Sequence, residues 1–280
     1  MTNSKILFDN LVQNLKLNEP EDETHAIAFE VLGHFGISKT DILAHKRTDF
    51  SFQRLLPLIE RLNKNEPVQY VLGEAWFCGH KFLVTPSVLI PRPETEMLVE
   101  EAIKDSSKKE ASLSILDVGT GSGCIAISLA LMFPHARVWA IDVSDDALTV
   151  ARQNAQQMQT SIQFLNHDIL QGPLKDQMFD LIVSNPPYIS EEEKPSISKN
   201  VIDYEPHLAL FAHATDPLIF YKALSKVAVK NINPGGRLLV EINERLGQEI
   251  QTIFLEAGLS SITISRDLAG KDRVVSACVP

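Results

Sequence analysis

Leu113-Ser114-Ile115-Leu116-Asp117-Val118-Gly119-Thr120-Gly121-Ser122-Gly123 is a short apolar run that closes on three glycines at alternating positions. The run has the length and composition of a buried strand, and a helically spaced stretch, Cys124 to Met132, follows it directly. The glycines therefore form a strand-to-helix turn at which a ligand can approach the backbone closely, at a helix N-terminus. The same alternation continues downstream. Val138-Trp139-Ala140-Ile141-Asp142 reads as the next strand and residues 144–157 as a helix with Ser144 as its N-cap. Ile162-Gln163-Phe164-Leu165 and Phe179-Asp180-Leu181-Ile182-Val183-Ser184 are further strands; a helix over 218–229, the strand Arg237-Leu238-Leu239-Val240-Glu241-Ile242, a helix over 246–256 and two closing strands complete the pattern. Repeated βαβ units predict an α/β fold with a doubly wound, mostly parallel, Rossmann-like sheet carrying helices on both faces. In such sheets ligands bind at the carboxyl ends of the central strands, which is where the glycines and Asn185 fall.

Upstream the texture changes. From Ile6 to about Asn63 the apolar residues recur at helical spacing, as in Phe52, Leu55, Leu56, Ile59 and Leu62, with breaks at Asn18-Glu19-Pro20 and Gly36-Ile37-Ser38. Residues 1–65 are expected to be a small helical bundle. Residues 66–92, which hold Val68-Gln69-Tyr70-Val71-Leu72-Gly73 and Trp76-Phe77-Cys78-Gly79-His80-Lys81-Phe82-Leu83-Val84, are aromatic and β-branched with glycines between, and are expected to be a β-hairpin linker. The doubly wound domain then occupies 93–280. It opens on helical spacing from Glu94 to Lys104 and a solvated linker, Asp105-Ser106-Ser107-Lys108-Lys109-Glu110.

Composition narrows the function. The chain has 280 residues, 44% hydrophobic and 22% charged, as in an ordinary soluble globular protein. A formal charge of −10 argues against stable nucleic-acid binding, which phosphate contacts from Lys and Arg largely supply. Cys78, Cys124 and Cys278 are odd in number and widely spaced, so neither a disulfide framework nor a zinc site is indicated. No run approaches the ~18 apolar residues that span a bilayer. A cytoplasmic monomer with no metal is expected.

The glycine spacing separates cofactor classes. A dinucleotide fingerprint needs Gly-x-Gly-x-x-Gly, whereas the third glycine here arrives one residue early, at Gly123, and Cys124 fills the next slot. No Gly-Lys-Ser/Thr follows, so there is no phosphate-cradling loop. Asp117 at the head of the turn suits a ligand with a cationic centre better than a pyrophosphate. S-adenosyl-L-methionine carries a sulfonium and no phosphate. Asp142, ending the second strand, is placed to accept hydrogen bonds from ribose hydroxyls, and Asp168, after the third, to accept from an adenine amino group. Turn chemistry is the plain alternative for each carboxylate taken singly; at consecutive strand ends they act as a set.

Asn185-Pro186-Pro187-Tyr188 ends the fourth strand. An amide or exocyclic amine nitrogen is a poor nucleophile because its lone pair is delocalised. The Asn185 side-chain oxygen and the Pro186 carbonyl offer two acceptors for an NH2 group. Prolines stiffen the turn and bring no competing N–H. Tyr188 offers a flat face to a planar group.

These motifs resemble those of class I S-adenosylmethionine-dependent methyltransferases that act on NH2 nitrogens. More narrowly, Leu89-Ile90-Pro91-Arg92-Pro93-Glu94-Thr95-Glu96, Tyr204-Glu205-Pro206-His207-Leu208-Ala209-Leu210 and Asp267-Leu268-Ala269-Gly270-Lys271-Asp272-Arg273 resemble the peptide chain release factor N5-glutamine methyltransferases, or protein-(glutamine-N5) methyltransferases. The resemblance runs from end to end. It implies methylation of the Gln side-chain amide in the Gly-Gly-Gln motif of class I release factors, with S-adenosyl-L-homocysteine as the other product. It implies that Gly119, Thr120, Gly121, Ser122, Gly123, Asp142 and Asn185 bind the cofactor, that Asp168 and Ile169 flank its adenine (the family can carry an aromatic at the second position), and that Asn185, Pro186, Pro187 and Tyr188 hold the target Gln. The implied chemistry is an in-line displacement that rests on positioning and electrostatics. The proton leaves after the nitrogen has become cationic, so no general base is needed, and His80, His167 and His207 read as structural or surface groups.

Arg92, Glu94 and Glu96 either wall the site or cap and charge the following helix, the helix role being favoured. Glu191-Glu192-Glu193 is either a solvated face or a greeting for a basic release-factor loop. The helical N-terminal domain is expected to dock substrate. Three other functions compete. A ribosomal-protein glutamine methyltransferase would share fold and turn, and Glu94-Thr95-Glu96 argues for the release-factor branch. An adenine-N6 methyltransferase would suit the turn equally well but would want a basic groove. A cofactor-binding sensor would not need the NH2 pocket.

Overall fold

The computed structural model describes residues 2–17, 20–104, 112–190, 192–212 and 216–280. The chain forms two compact units, Met1–Glu74 with Ser198–Tyr204, and Ala75–Ile197 with Glu205–Pro280. The expected solvated linker at 105–110, the break at Asn18-Glu19 and Glu191 lie outside the described residues.

In the first unit a short ladder of β1 (Thr2–Asn3) on β2 (Arg47–Thr48) accompanies helices α1 (Ser4–Asn14), α2 (Glu21–His34), α3 (Lys39–Leu43), α4 (Leu56–Leu62) and α5 (Val68–Leu72). Their apolar stripes meet in a core that includes Leu7, Leu11, Val31, Leu32, Ile42, Leu55, Leu62 and Val71. Ser38 and Asp41 form a capping box at the start of α3.

Helix α5 corrects the reading of Val68–Leu72 as hairpin. Pro67 sits at its N-cap and Gly73, with φ of 73°, closes it in the left-handed region. Arg61 secures its end by donating to the carbonyls of Tyr70 and Val71 while holding Glu66. The hairpin is shorter and begins later, with β3 (Glu74–Phe77) paired to β4 (His80–Leu83). Cys78 and Gly79 form the turn with φ of 47° and 75°, the signs that a two-residue hairpin loop needs.

Helix α6 (Glu96–Ile103) leads into the sheet unit, whose elements are β5 (Ser114–Val118), α7 (Cys124–Met132), β6 (Arg137–Asp142), α8 (Asp145–Gln157), β7 (Ile162–Asn166), β8 (Phe179–Ser184), α10 (His207–Leu210), α11 (Ile219–Asn231), β9 (Ile232–Glu241), α12 (Gly247–Glu256), β10 (Ser260–Arg266) and β11 (Asp272–Cys278). Helix α9 (Lys199–Tyr204), between β8 and α10 in sequence, belongs to the first unit, where the Tyr204 hydroxyl donates to the Lys64 carbonyl at 2.8 Å.

The seven strands lie in the order β10-β11-β9-β8-β5-β6-β7. β5, β6, β7, β8 and β9 are mutually parallel and β11 alone is reversed, pairing antiparallel with both β9 and β10. Every residue of β5 is buried, as befits the middle of the sheet. One apolar core packs α11 and α12 on one face, and another packs α6 and α7 on the other. The strand order changes direction between β5 and β8, and that switch point opens the crevice in which the glycine turn and Asn185 meet.

Candidate active site

The carboxyl ends of β5, β6 and β8, with the Arg92 segment and the loop before α11, enclose a cavity of about 290 Å³. Its wall is mostly apolar and includes Gly119, Thr120, Gly121, Ser122, Asp142, His167, Asp168, Ile169, Asn185, Pro186 and Pro187. The structure thus brings together the glycine turn, both strand-end aspartates and most of the Asn-Pro-Pro-Tyr turn.

The glycine turn is built to fold on itself. Gly119, Gly121 and Gly123 have φ of 72°, 54° and 82°. A Cβ at Gly123 would come within 3.1 Å of both Ala151 Cβ and Ile127 Cδ1, so glycine also allows the turn to lie against α8. The amides of Gly119 and Thr120 donate to the Ile141 carbonyl, that of Gly123 to Thr120, and that of Gly121 to Asp142 Oδ2 at 2.9 Å. With these N–H groups engaged, the turn is no anion nest of the kind that phosphates require.

Asp117 differs from its expected role. Its carboxyl is fully buried beneath the turn, outside the cavity wall, where Oδ2 accepts from Thr120 Oγ1 at 2.7 Å and Ala126 N at 3.2 Å. It organises the loop rather than facing a cationic ligand. Burial pushes its pKa up to about 7 against those two hydrogen bonds.

Asp142 does face the cavity. Oδ1 accepts from Ser144 N at 2.9 Å, and burial raises its pKa above the ordinary carboxylate value. Each carboxylate oxygen retains a lone pair for a further donor. Asp168 caps a single 3-10 turn, accepting from Leu170 N at 2.9 Å, and Ile169 combines a place in the core with a face on the cavity. His167 also lines the cavity, with Nε2 held 2.9 Å from the Gly172 carbonyl oxygen.

At the end of β8 the Asn185 amide is oriented by Thr95, which the sequence marked only as part of a motif: Nδ2 donates to Thr95 Oγ1 at 3.1 Å. The opposite amide atom, Oδ1, is thereby left to accept from a ligand. Pro186 and Pro187 line the cavity, whereas Tyr188 does not. Its ring packs against the core and its hydroxyl donates to Glu241 Oε1 at 3.0 Å. The expected flat face for a planar group gives way to an anchor for the turn.

Arg92 occupies the N-cap position of the 3-10 turn Pro93–Thr95 that leads into α6. It makes no side-chain capping bond; its guanidinium lines the cavity and pairs with Glu205, which also accepts from Ile90 N at 3.2 Å. This pair joins two of the quoted motifs in one wall. Glu96 ties the hairpin turn to α6 by accepting from Cys78 N at 2.8 Å. Glu193 is committed internally, accepting from Ser190 N, Ser190 Oγ and Asn243 Nδ2. Its local role is therefore a turn brace.

Asn154 was invisible in the sequence. It is fully buried in α8, accepts from Leu83 N at 2.7 Å, and donates to the carbonyls of Leu83 and Ser122 at 3.0 and 2.8 Å. One side chain thus fastens β4 to the glycine turn.

Comparison with known proteins is consistent across the chain. Residues 109–258 match a methyltransferase domain, and residues 7–73 match a PrmC N-terminal domain. The release factor glutamine methyltransferase of Flavobacterium psychrophilum is 48% identical over 77% of this chain and 76% of its own. That of Bacteroides thetaiotaomicron is 39% identical over 95% of this chain and 96% of its own. A methyltransferase structure from Pyrococcus furiosus, 18% identical, superposes with a TM-score of 0.51 over 82% of this chain and 98% of that one, a likeness of fold.

Proposed function

Because this chain belongs to the release factor glutamine methyltransferase family, we propose that it methylates the side-chain amide nitrogen of the Gln in the Gly-Gly-Gln motif of class I peptide chain release factors, with S-adenosyl-L-methionine as donor. The observation that carries this reading is the fixed Asn185 amide, whose Nδ2 is committed to Thr95 beside the glycine turn. An acceptor at that place suits a nucleophile that brings two N–H groups.

The cavity residues fit the cofactor. Their wall is mainly apolar, its polar groups include the Asp142 and Asp168 carboxylates, the Asn185 amide and several hydroxyls, Arg92 is paired with Glu205, and the amides of Gly119, Thr120, Gly121 and Gly123 are already engaged. Gly119, Thr120, Gly121 and Ser122 shape the floor, and Gly123 closes the turn behind them. Asp142 accepts from ribose hydroxyls, while Asp168 and Ile169 border the base. When bound, the cofactor supplies an electrophilic methyl group on a cationic sulfur.

The chain's own residues do the rest by position. Asn185 Oδ1 and the Pro186 carbonyl accept the two N–H bonds of the target, drawing density toward nitrogen and aiming its lone pair. The same acceptors stabilise the positive charge that the nitrogen acquires. Proton loss follows to solvent. The helical N-terminal domain serves to dock the release factor, and the enzyme acts as a cytoplasmic monomer. No helix among the described residues is long and apolar enough to cross a membrane.

The test is methyl transfer from labelled S-adenosylmethionine to a purified, unmethylated release factor, with mass spectrometry to locate the product. A Gln-to-Ala change in the substrate's Gly-Gly-Gln motif is the control. Label on that Gln alone supports the reading. Label on a ribosomal protein, or on neither substrate from a cofactor-binding enzyme, overturns it.

A further inference from the structure

Among the described residues, three large apolar side chains are exposed and also line the cavity: Val143, Leu170 and Leu208. A leucine exposed singly on an open surface is ordinary. One exposed on a cavity wall stands at the mouth, where an incoming group can bury it. Val143 follows Asp142 and Leu170 follows Ile169, so in the proposed placement of the cofactor both belong to its side. Leu208 is the most open of the three, at 61%.

The segment that carries Leu208 is a strap fixed at both ends. At its start the buried Glu205 pairs with Arg92 and accepts from Ile90 N at 3.2 Å. At its end the strap is joined to the residue that follows Tyr188: Ile189 N donates to the Leu210 carbonyl at 3.2 Å, and Ala212 N donates to the Ile189 carbonyl at 2.9 Å. The Leu208 strap is thereby tied directly to the Asn-Pro-Pro-Tyr turn. Between the two anchors Leu210 is buried and Leu208 is not. With both ends pinned, the strap holds Leu208 open, so burying it under a partner gains apolar contact without the entropy of ordering a loop.

We propose that Leu208 is a contact residue for the protein substrate, covering the release-factor backbone next to the target Gln as its amide reaches Asn185. The inference rests on the proposed function. A Gln preceded by two glycines brings no neighbouring side chains into the mouth, only Cα carbons and peptide planes. Such a segment offers nothing for a charged or hydrogen-bonding side chain to read beyond its backbone, and a leucine matches it by close packing and exclusion of water.

The experiment measures kcat and KM for a purified unmethylated release factor, cofactor affinity by calorimetry, and thermal unfolding, for the wild-type enzyme and for Leu208→Ala, Leu208→Met and Leu208→Asp. L208A is expected to raise KM about tenfold, the worth of half-burying the carbons that alanine lacks, with a smaller change in kcat, which places the loss in binding. Its Tm stays near that of the wild type because the side chain is exposed in the free enzyme, and its cofactor affinity stays within about twofold. L208M, close to leucine in volume, recovers most of the KM. L208D raises it beyond L208A, since a carboxylate would lose its water under the substrate. A wild-type KM in L208A would overturn the inference. So would a loss of cofactor affinity with KM unmoved, which assigns the side chain to the cofactor, or a Tm lowered by several degrees, which makes it part of the strap's own packing. Absence of transfer by the wild-type enzyme instead defeats the reading of the substrate, a separate outcome.

Discussion

Asn154 Nδ2 donates to the carbonyl of Ser122 at 2.8 Å, from a helix that follows the glycine turn by more than twenty residues. The same side chain makes a two-way hydrogen bond with the backbone of Leu83. A buried amide with all of its bonds within the protein holds its neighbours to a fixed spacing. The shape of the cavity floor is thus tied to the hairpin.

Asn154→Ala removes the partner of three backbone groups, one buried and two part-buried. The cost is expected at about 2–4 kcal/mol of unfolding free energy, from groups left unsatisfied rather than from lost volume. Urea unfolding measures it, and cofactor affinity falls with it as the turn loosens. Unchanged stability would show that water replaces the amide without penalty.

Asn185→Ala takes away the acceptor proposed for the reacting nitrogen but leaves the cavity floor intact. A loss of about 10²–10³ in kcat is expected, by analogy with removal of one preorganised polar group, with a much smaller change in cofactor affinity. Steady-state kinetics beside calorimetry separate the two effects. Near-normal turnover would refute the role given to Asn185.

Asp117 makes a prediction about pH. Its pKa rises from an ordinary 3.8 to about 7 on folding because burial disfavours the anion. Between those values the folded chain binds more protons at this site than the unfolded chain does, so this group's stabilisation is full below about 4 and is lost as pH rises through about 7. Asp117→Asn does not titrate. Unfolding free energy measured from pH 4 to 8 should therefore fall less steeply in the variant than in the wild type; identical slopes would mean that Asp117 is not the group responsible.

Arg92 and Glu205 pair in the cavity wall, with the Glu205 carboxyl buried. Arg92→Leu leaves the Glu205 carboxylate, whose side chain is 1% exposed, without its cation. A loss of about 2–3 kcal/mol is expected, below the usual range for a broken buried pair because Arg92 is itself one-third exposed. Adding Glu205→Gln should restore part of it, and a double-mutant cycle on thermal unfolding reads the coupling. Strictly additive losses would show that the pair is only a surface contact.

The sheet was legible because its strands and helices differ in period, and because glycine and Ser144 punctuate them. Ser144 indeed caps α8, accepting from Ala147 N at 3.2 Å, and Cys124–Met132 is a helix over the span read from the sequence. Val68–Leu72 misled because Val and Tyr favour strands when packing is ignored. The flanking Pro67 and Gly73 carried the helix signal, start and stop six residues apart. Asp117 and Tyr188 are legible as motif residues but their directions are not: a residue's place in a motif does not say whether its side chain points to the crevice or to the core.

The sequence by itself determined the fold class, the glycine turn without a phosphate cradle and the Asn-Pro-Pro-Tyr turn, since each depends on residues close together in the chain whose backbone preferences are local. Only the tertiary structure decided which groups orient them. Thr95 reaches Asn185 across 90 positions, Glu241 reaches Tyr188 across 53 and Asn154 reaches Leu83 across 71. Hydrogen bonds between such distant residues leave no periodicity or spacing to read, because their geometry exists only once parallel strands and the helices over them have fixed the distance between the groups.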